Sequence, residues 1–422
     1  MKLRSFIPLL SLFACLAACD SPQGSGSSAN QAFLYNKNLG RLHPQFNIYH
    51  TSQTQSQLDF LLDASELLYM RHGADTVQRA QVLVSIILHS KLESKDLADS
   101  ASARVSDVTD GKNDKFIHGT ILFKASYPNI YSLEVVVADQ NRKVSYRSFM
   151  PVDKSNHTNA QNFLVLSDEG REYFSNTLGP KDRIQILTGN PNLSGYTVKY
   201  YNMHFHMPAP PFSMSYQQPN FNRKPDSIYH IGIPGGSGIG FPRHGLYQIL
   251  ASDTAHGGIN LLRFYEGYPE VTNTDVLVNA LRYVTNKDEF GKMHDAVDKK
   301  AAVDKFWLDL AGSENRAKEL ISKYYNRVQD ANRYFTSYTE GWRTDRGMVF
   351  LIFGPPSTIY KTSTGETWEY GMKHQPTPIS FIFIRENNPF TDNDFQLRRD
   401  PAHKAAWYRA VEAWRQGRMY SE

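Results

Sequence analysis

The sequence predicts a mainly β N-terminal region, two β-sandwich domains in tandem, followed by an α+β C-terminal domain. Three observations lead there. Up to about residue 267, apolar residues fall in short alternating or β-branched runs divided by Gly, Pro, Asn and Asp clusters, the pattern of strands joined by turns. Beyond that point they recur at three- and four-residue intervals, the spacing of one helix face. Aromatic residues are abundant, with 24 Tyr and 24 Phe among 422 residues, and such side chains suit pleated, half-buried surfaces.

The chain opens with Lys2 and Arg4, an apolar stretch over 6–14, and then Cys15-Leu16-Ala17-Ala18-Cys19. That order, charged then apolar then small, is that of a secretory signal, and the apolar run is too short to span a bilayer. Leu16-Ala17-Ala18-Cys19 resembles the lipobox of bacterial lipoproteins. The resemblance implies a signal peptide over 1–18 and acylation of Cys19, with palmitate-type chains on the new terminus. Both cysteines of the chain, Cys15 and Cys19, are then accounted for, leaving no thiol for a disulfide, metal or redox site. Residues 19–30, rich in Ser and Gly, read as the lipidated residue and a flexible tether. Asp20 stands alone, without the acidic run that takes some lipoproteins to the cell surface. The protein is therefore expected to face the periplasm, with the outer membrane as its expected anchor; a lone Asp20 also resembles the inner-membrane retention signal of some proteobacteria, which is the alternative. A net charge of +4 with no basic stripe excludes nucleic acid as a partner.

The first sandwich is expected over 31–154, with strands at 46–49, 66–70, 80–88, 116–123, 131–138 and 144–150. The second is expected over 155–267, with strands at 163–166, 183–187, 196–204, 228–233, 245–250 and 259–264, interrupted by a Pro-rich stretch at 208–225. Several short strands at this turn spacing suggest an immunoglobulin-like architecture.

The α+β domain is expected over 268–422. Helices are read at 294–310 and 313–338, the second carrying Ala317, Leu320, Tyr324, Val328, Ala331 and Phe335 on one face. A buried strand is read at 348–353, then a hairpin (359–363 and 366–370), strands at 379–384 and 395–397, and a last helix from Asp400-Pro401.

Within this domain, Gly341-Trp342-Arg343-Thr344-Asp345 resembles the signature of the GWxTD domain family of bacterial envelope proteins. Phe306-Trp307, Tyr324-Tyr325, Phe353-Gly354-Pro355-Pro356 and Glu366-Thr367-Trp368-Glu369-Tyr370 agree with it in order and spacing. Combined with a lipoprotein start and a β-rich region, the arrangement resembles members from Bacteroidota. The resemblance implies an envelope protein and supplies no activity. Two readings of its residues stand side by side. In one, Asp345, Arg346, Arg327 and Glu366 form a polar cluster beside Trp342 and Trp368 that binds a glycan or an extended peptide. In the other, Gly341 ends the long helix in a left-handed cap, Trp342 fills the core, Thr344 and Asp345 bond turn amides, and Arg346 pairs with a carboxylate.

Other candidates are thinner. His204 and His206, two apart on a strand, would need His230 or His244 to complete a zinc site, and no metal or other cofactor is expected. The glycine run at 235–240 lacks the Lys-Ser/Thr of a phosphate loop. Thr76, Ser100, Ser227 and Thr254 each follow Asp and precede an apolar residue, which resembles the O-glycosylation pattern of Bacteroidota proteins. No nucleophile–base motif is present. The expected role is a non-catalytic, membrane-anchored interaction or scaffold component of the cell envelope, in secretion or envelope assembly, with an envelope protein as partner. The alternative is a protein that binds or modifies glycan or peptidoglycan through its C-terminal domain.

Overall fold

In the computed structural model the strands between residues 45 and 154 are β1 (Gln45–Tyr49), β2 (Gln55–Asp63), β3 (Arg79–His89), β4 (Leu97–Val108), β5 (Phe116–Lys124), β6 (Asn129–Asp139) and β7 (Val144–Lys154). The structure describes residues 30–36, 39, 42–71, 73, 76–90, 96–190, 193–203, 207–216, 223–232, 238–255, 257–371 and 378–420. The strands form two antiparallel sheets, β1-β2-β5 and β4-β3-β6-β7. Alternation makes the faces: Leu58, Phe60 and Leu62 of β2 meet Val82, Val84 and Ile86 of β3 and Leu133, Val135 and Val137 of β6 in one core. The connectivity is a Greek-key sandwich of the immunoglobulin-like kind. A tyrosine corner marks it, for the Tyr131 hydroxyl donates to the Ser126 carbonyl at 3.1 Å and accepts its N–H at 3.0 Å.

Two strands of this domain differ from expectation. Residues 66–70 are not a strand. Asp63 accepts the Ser65 N–H and starts a 3-10 turn (Ala64–Glu66), and only Met70 bridges back to Arg79. The true strand is β2, just before it. β4 carries no clear strand signal in the sequence because its inward positions, Ala101, Ala103 and Val105, are small and only partly buried at the sheet edge.

The second sandwich repeats the order of the first. Its strands are β8 (Phe163–Ser167), β9 (Thr177–Leu178), β10 (Arg183–Thr188), β11 (Gly195–Tyr201), β12 (Ser227–Gly232), β13 (Ile239–Gly240), β14 (Gly245–Leu250) and β15 (Ile259–Arg263). The sheet β8-β10-β13 faces β12-β11-β14-β15, and β9 adds to the latter in parallel with β15. The corner recurs as well: the Tyr247 hydroxyl donates to the Arg243 carbonyl at 2.7 Å and accepts its N–H at 3.0 Å.

The larger of these sheets is buried on both faces. Tyr247, Ile249 and Leu261 fill the sandwich, whereas Tyr201, Leu246, Leu262 and Phe264 point into the C-terminal core. That core is built by α1 (Thr274–Ala280), α2 (Lys287–His294), α3 (Lys299–Ala311), α4 (Glu314–Phe335), α5 (Asp345–Phe353) and α6 (His403–Arg415), with the antiparallel meander β16 (Thr358–Thr362), β17 (Gly365–Tyr370), β18 (Ile379–Arg385) and β19 (Phe395–Leu397). The connection after β11 reaches across it, where Pro211 accepts the Asp400 N–H and Phe212 packs on Tyr408. So does the N-terminal segment, a 3-10 turn (Ala32–Tyr35) that buries Ala32 and Tyr35 in the same core.

Here too the structure corrects the reading. The apolar run at 348–353 is helix α5 and not a strand. Thr344 caps it, every residue of it is buried, and a helix apolar all round has no polar face to reveal its period. Helix α4 ends at Phe335, and Gly341 opens a separate 3-10 turn (Gly341–Arg343) instead of capping it. Ser313 sits at the α4 start without a side-chain capping bond.

Candidate functional site

The signature segment folds at the corner between α4 and α5. Gly341 lies against the Ala331 carbonyl of α4, where any Cβ would collide, so the close approach demands glycine. Trp342 is fully buried; its backbone N–H donates to Asn332 Oδ1 at 3.3 Å and the Arg343 guanidinium covers its ring at 4.6 Å. Arg343 in turn pairs with buried Glu340. Burial raises the Glu340 carboxyl above its ordinary value, and Arg343 offsets this only in part. The Thr344 hydroxyl donates to the Gly341 carbonyl at 2.8 Å and accepts the Gly347 N–H at 3.0 Å, satisfying an orphan donor of the first helical turn.

Asp345 and Arg346 follow in that turn, and successive helical residues point about 100° apart. Each therefore finishes in its own ion pair. Asp345 Oδ1 lies 2.7 Å from Arg399 Nη2, and Oδ2 accepts the Leu397 N–H at 2.8 Å, tying α5 to β19. Burial raises the Asp345 carboxyl, with Arg399 and the amide pulling it back. Its charge also sits at a helix N-terminus, where the macrodipole favours an anion. Arg346 Nη1 lies 3.2 Å from Glu366 Oε1, Nη2 donates to the Asn393 carbonyl at 3.0 Å, and the guanidinium stacks 3.8 Å from the Phe395 ring centre.

Glu366 is the hub of the second pair. Its Oε1 accepts the Tyr35 hydroxyl at 2.8 Å and lies 3.0 Å from Lys361 Nζ, and its Oε2 accepts the Trp368 indole N–H at 2.9 Å. Burial pushes this carboxyl up, but Arg346 and Lys361 outweigh it and hold it below the ordinary range. Tyr35 goes the other way: burial and the Glu366 charge raise it, so it stays a donor. Arg327 stands apart from this cluster. It donates to the Leu351 and Ile352 carbonyls at 3.1 and 3.2 Å, at the far end of α5, and lies over the Trp414 ring. Burial brings its guanidinium down to about 10.

The cluster thus unites Asp345, Arg346, Glu366 and Trp368 around the first turn of α5 and leaves Arg327 at its other end. Tyr35, Lys361, Asn393 and Arg399 complete it and were not singled out in the sequence; Tyr35 lies 331 residues from Glu366, with no local signal. Residues 245–416 match the family model described as the GWxTD domain. This chain carries a GWxTD domain. No curated protein is significantly similar to the chain.

The match starts at the first residue of β14, not near 268. The packing gives the reason: the β14–β15 hairpin turns Leu246 and Leu262 into the GWxTD core. Every residue of the signature itself serves that core, in close approach, filling, pairing, capping and anchoring. A cavity of about 1180 Å³ lies where the GWxTD domain meets both sandwiches, its walls including Phe46, Tyr146, Tyr173, Tyr334, Lys361 and Asn393.

Of the other sequence candidates, Cys19, His204, His206 and residues 235–237 of the glycine run lie outside the described residues. His230 faces Thr197 at 3.2 Å and Asp253 at 3.7 Å. His244 uses its backbone carbonyl to accept the Tyr200 hydroxyl at 2.6 Å. Thr76, Ser100 and Thr254 are exposed and Ser227 is partly so, which is the access that sugar attachment requires.

Proposed function

We propose that the protein is a lipoprotein held to the outer membrane through Cys19, facing the periplasm, and that it acts as a non-catalytic scaffold for an envelope protein partner in secretion or envelope assembly. One observation carries this reading. The segment that follows the tether is built into the GWxTD domain: Gln31 N–H donates to the Ile359 carbonyl at 2.9 Å, Asn30 Oδ1 accepts the Ile359 N–H at 3.1 Å, and Tyr35 is buried on Glu366. Ten residues separate Cys19 from Asn30, so the chain between them reaches no more than about 40 Å however it runs. An acylated Cys19 would hold the GWxTD domain close to the bilayer, with the second sandwich joined to it through β14 and β15. The signature's charged groups support the same reading, because each is spent in an ion pair within the domain, Arg343 with Glu340 and Asp345 with Arg399.

Photo-crosslinking from exposed positions of the GWxTD domain in native membranes tests the proposal. A stoichiometric envelope protein in the adduct supports it, and adducts with lipid or glycan alone overturn it. Metabolic labelling with an alkyne fatty acid tests the anchor: label and membrane retention are both expected to vanish in Cys19→Ala. A second reading, binding of glycan or peptidoglycan, draws on the junction cavity, where aromatic walls and the Lys361 and Asn393 side chains suit a sugar's faces and hydroxyls. Sedimentation with purified peptidoglycan, lost in Tyr334→Ala, would favour it.

A further inference from the structure

The outward face of the β1-β2-β5 sheet carries polar groups in register. Asn47 of β1 lies opposite Asp59 of β2, Asp59 opposite Thr120 of β5, and His118 sits two residues before Thr120 on the same face. The second sandwich covers this patch with the turn after β8, where Glu172 bridges to Leu166. Asp59, His118 and Glu172 each place a ligand-capable atom within 4.8 Å of the others, and His118 Nε2 lies 3.3 Å from Glu172 Oε2.

Two features distinguish this group from a solvated charge cluster. Asp59 is 1% exposed, and among the described residues its bonds come from neutral donors, Gln57 Nε2 at 2.6 Å and Thr120 Oγ1 at 2.5 Å. Burying a carboxyl group among neutral donors is costly, and a cation beside it lowers that cost. Glu172 adds a second carboxylate, fixed by Asn47 Nδ2 at 2.7 Å. The two carboxylates, with oxygens within 4.8 Å of each other, repel, and a divalent cation between them would relieve that repulsion.

We propose that Asp59, His118 and Glu172 form a divalent transition-metal site, of the zinc or manganese class, that clamps the first sandwich to the second. One imidazole nitrogen and two carboxylate oxygens are the donor set those ions take, at about 2.0–2.2 Å for zinc. The 3.3 Å between His118 Nε2 and Glu172 Oε2 already suits two ligands of one ion, and the His118 side chain is half exposed. Solvent at His118 leaves a coordination position for water. The outer shell is already in place: Thr120 and Gln57 orient Asp59, Asn47 orients Glu172, and Phe174 packs edge-on against the His118 ring at 5.7 Å. The site is independent of the envelope reading and stands or falls by itself.

Calorimetric titration of the full chain in detergent with ZnCl2 and with MnCl2 tests it, alongside thermal unfolding. The wild type is expected to bind one equivalent at this site, with unfolding shifted upward by the ion. His118→Ala and Glu172→Gln are each expected to weaken that binding at least tenfold and to cancel the shift, while His230→Ala changes neither. His118→Ala acts at an accessible side chain and Glu172→Gln preserves the Asn47 contact, so either variant that unfolds like the metal-free wild type is decisive. No stoichiometric binding by the wild type, or full binding retained in both variants, overturns the proposal.

Discussion

Asp345 and Arg346 are neighbours that serve different partners, Arg399 and Glu366. If Asp345 holds α5 to β19 through Arg399, then Asp345→Ala leaves a buried guanidinium without its anion and should cost about 3–5 kcal/mol. Changing both members to apolar residues of like size, Asp345→Leu with Arg399→Met, should recover most of that loss. Urea unfolding of the single and double variants measures it, and a double variant as unstable as the single one would contradict the pairing. Trp342→Ala should cost a similar 3–5 kcal/mol through the cavity it opens. The first sandwich offers a pH probe. His50 is buried, bonded to Ser56 at 3.0 Å and to the Asp153 carbonyl at 2.9 Å, and burial brings it from 6.5 down to about 4. Between those values the unfolded chain binds the extra proton, so stability falls as pH drops from 6.5 to 4 and this contribution is level above 6.5. His50→Gln should lower stability at pH 7 by about 1–3 kcal/mol and flatten the slope below 6.5 in unfolding curves taken at several pH values.

At the scale of elements, what was legible depended on how much polar contrast an element keeps. β3 and β6 are dense in β-branched residues, with Gln81, Ser85, Ser132 and Glu134 on the face turned from the core, and they lie close to the runs expected at 80–88 and 131–138. β4 replaces the apolar partner with Ala and Val at a sheet edge, and its alternation faded into Ser and Asp. Helix α5 has the opposite fault, with six consecutive apolar residues that fit a buried strand as well as a buried helix; only the Thr344 cap separates them. The candidate site was legible in its signature residues and in the Arg346–Glu366 type of pairing. It was not legible in Tyr35, Arg399 or the Asp59–His118–Glu172 group, whose members meet only through tertiary contact. The N-terminal segment is the element whose role can be tested most directly. Tyr35 packs on Phe335 at 4.8 Å and Trp368 at 5.5 Å between ring centres, and its neighbours Asn30 and Gln31 hold the β16 edge. Tyr35→Ala should therefore cost about 3–5 kcal/mol and speed hydrogen exchange at Ile359 and its β16 neighbours, leaving β3 of the first sandwich unchanged. Uniformly faster exchange across the chain would argue against a local latch.

For the molecule as a whole, the decisive feature is a sheet shared between two domains. Tyr201, Leu246, Leu262 and Phe264 belong by chain order to the second sandwich and by packing to the GWxTD core. A boundary at 268, natural from the change of periodicity, cuts through that core. A fragment of residues 268–422 would expose the apolar surface these four side chains cover, and it would lack Tyr35 as well. Exposed apolar patches of that kind drive association. The expected outcome is that 268–422 aggregates or binds a hydrophobic dye with weak near-ultraviolet dichroism. A fragment of 155–422 keeps the shared sheet and should fold, though less stably than the full chain because Glu366 has lost the Tyr35 hydroxyl. Fusing 30–36 to the start of that second fragment through a linker long enough to reach β16 should restore part of the difference. Scanning calorimetry and sedimentation on the three fragments decide the matter: a well-folded, monomeric 268–422 would mean that the hairpin β14–β15 is packing decoration, whereas its failure beside a folded 155–422 makes the shared sheet a structural part of the GWxTD domain.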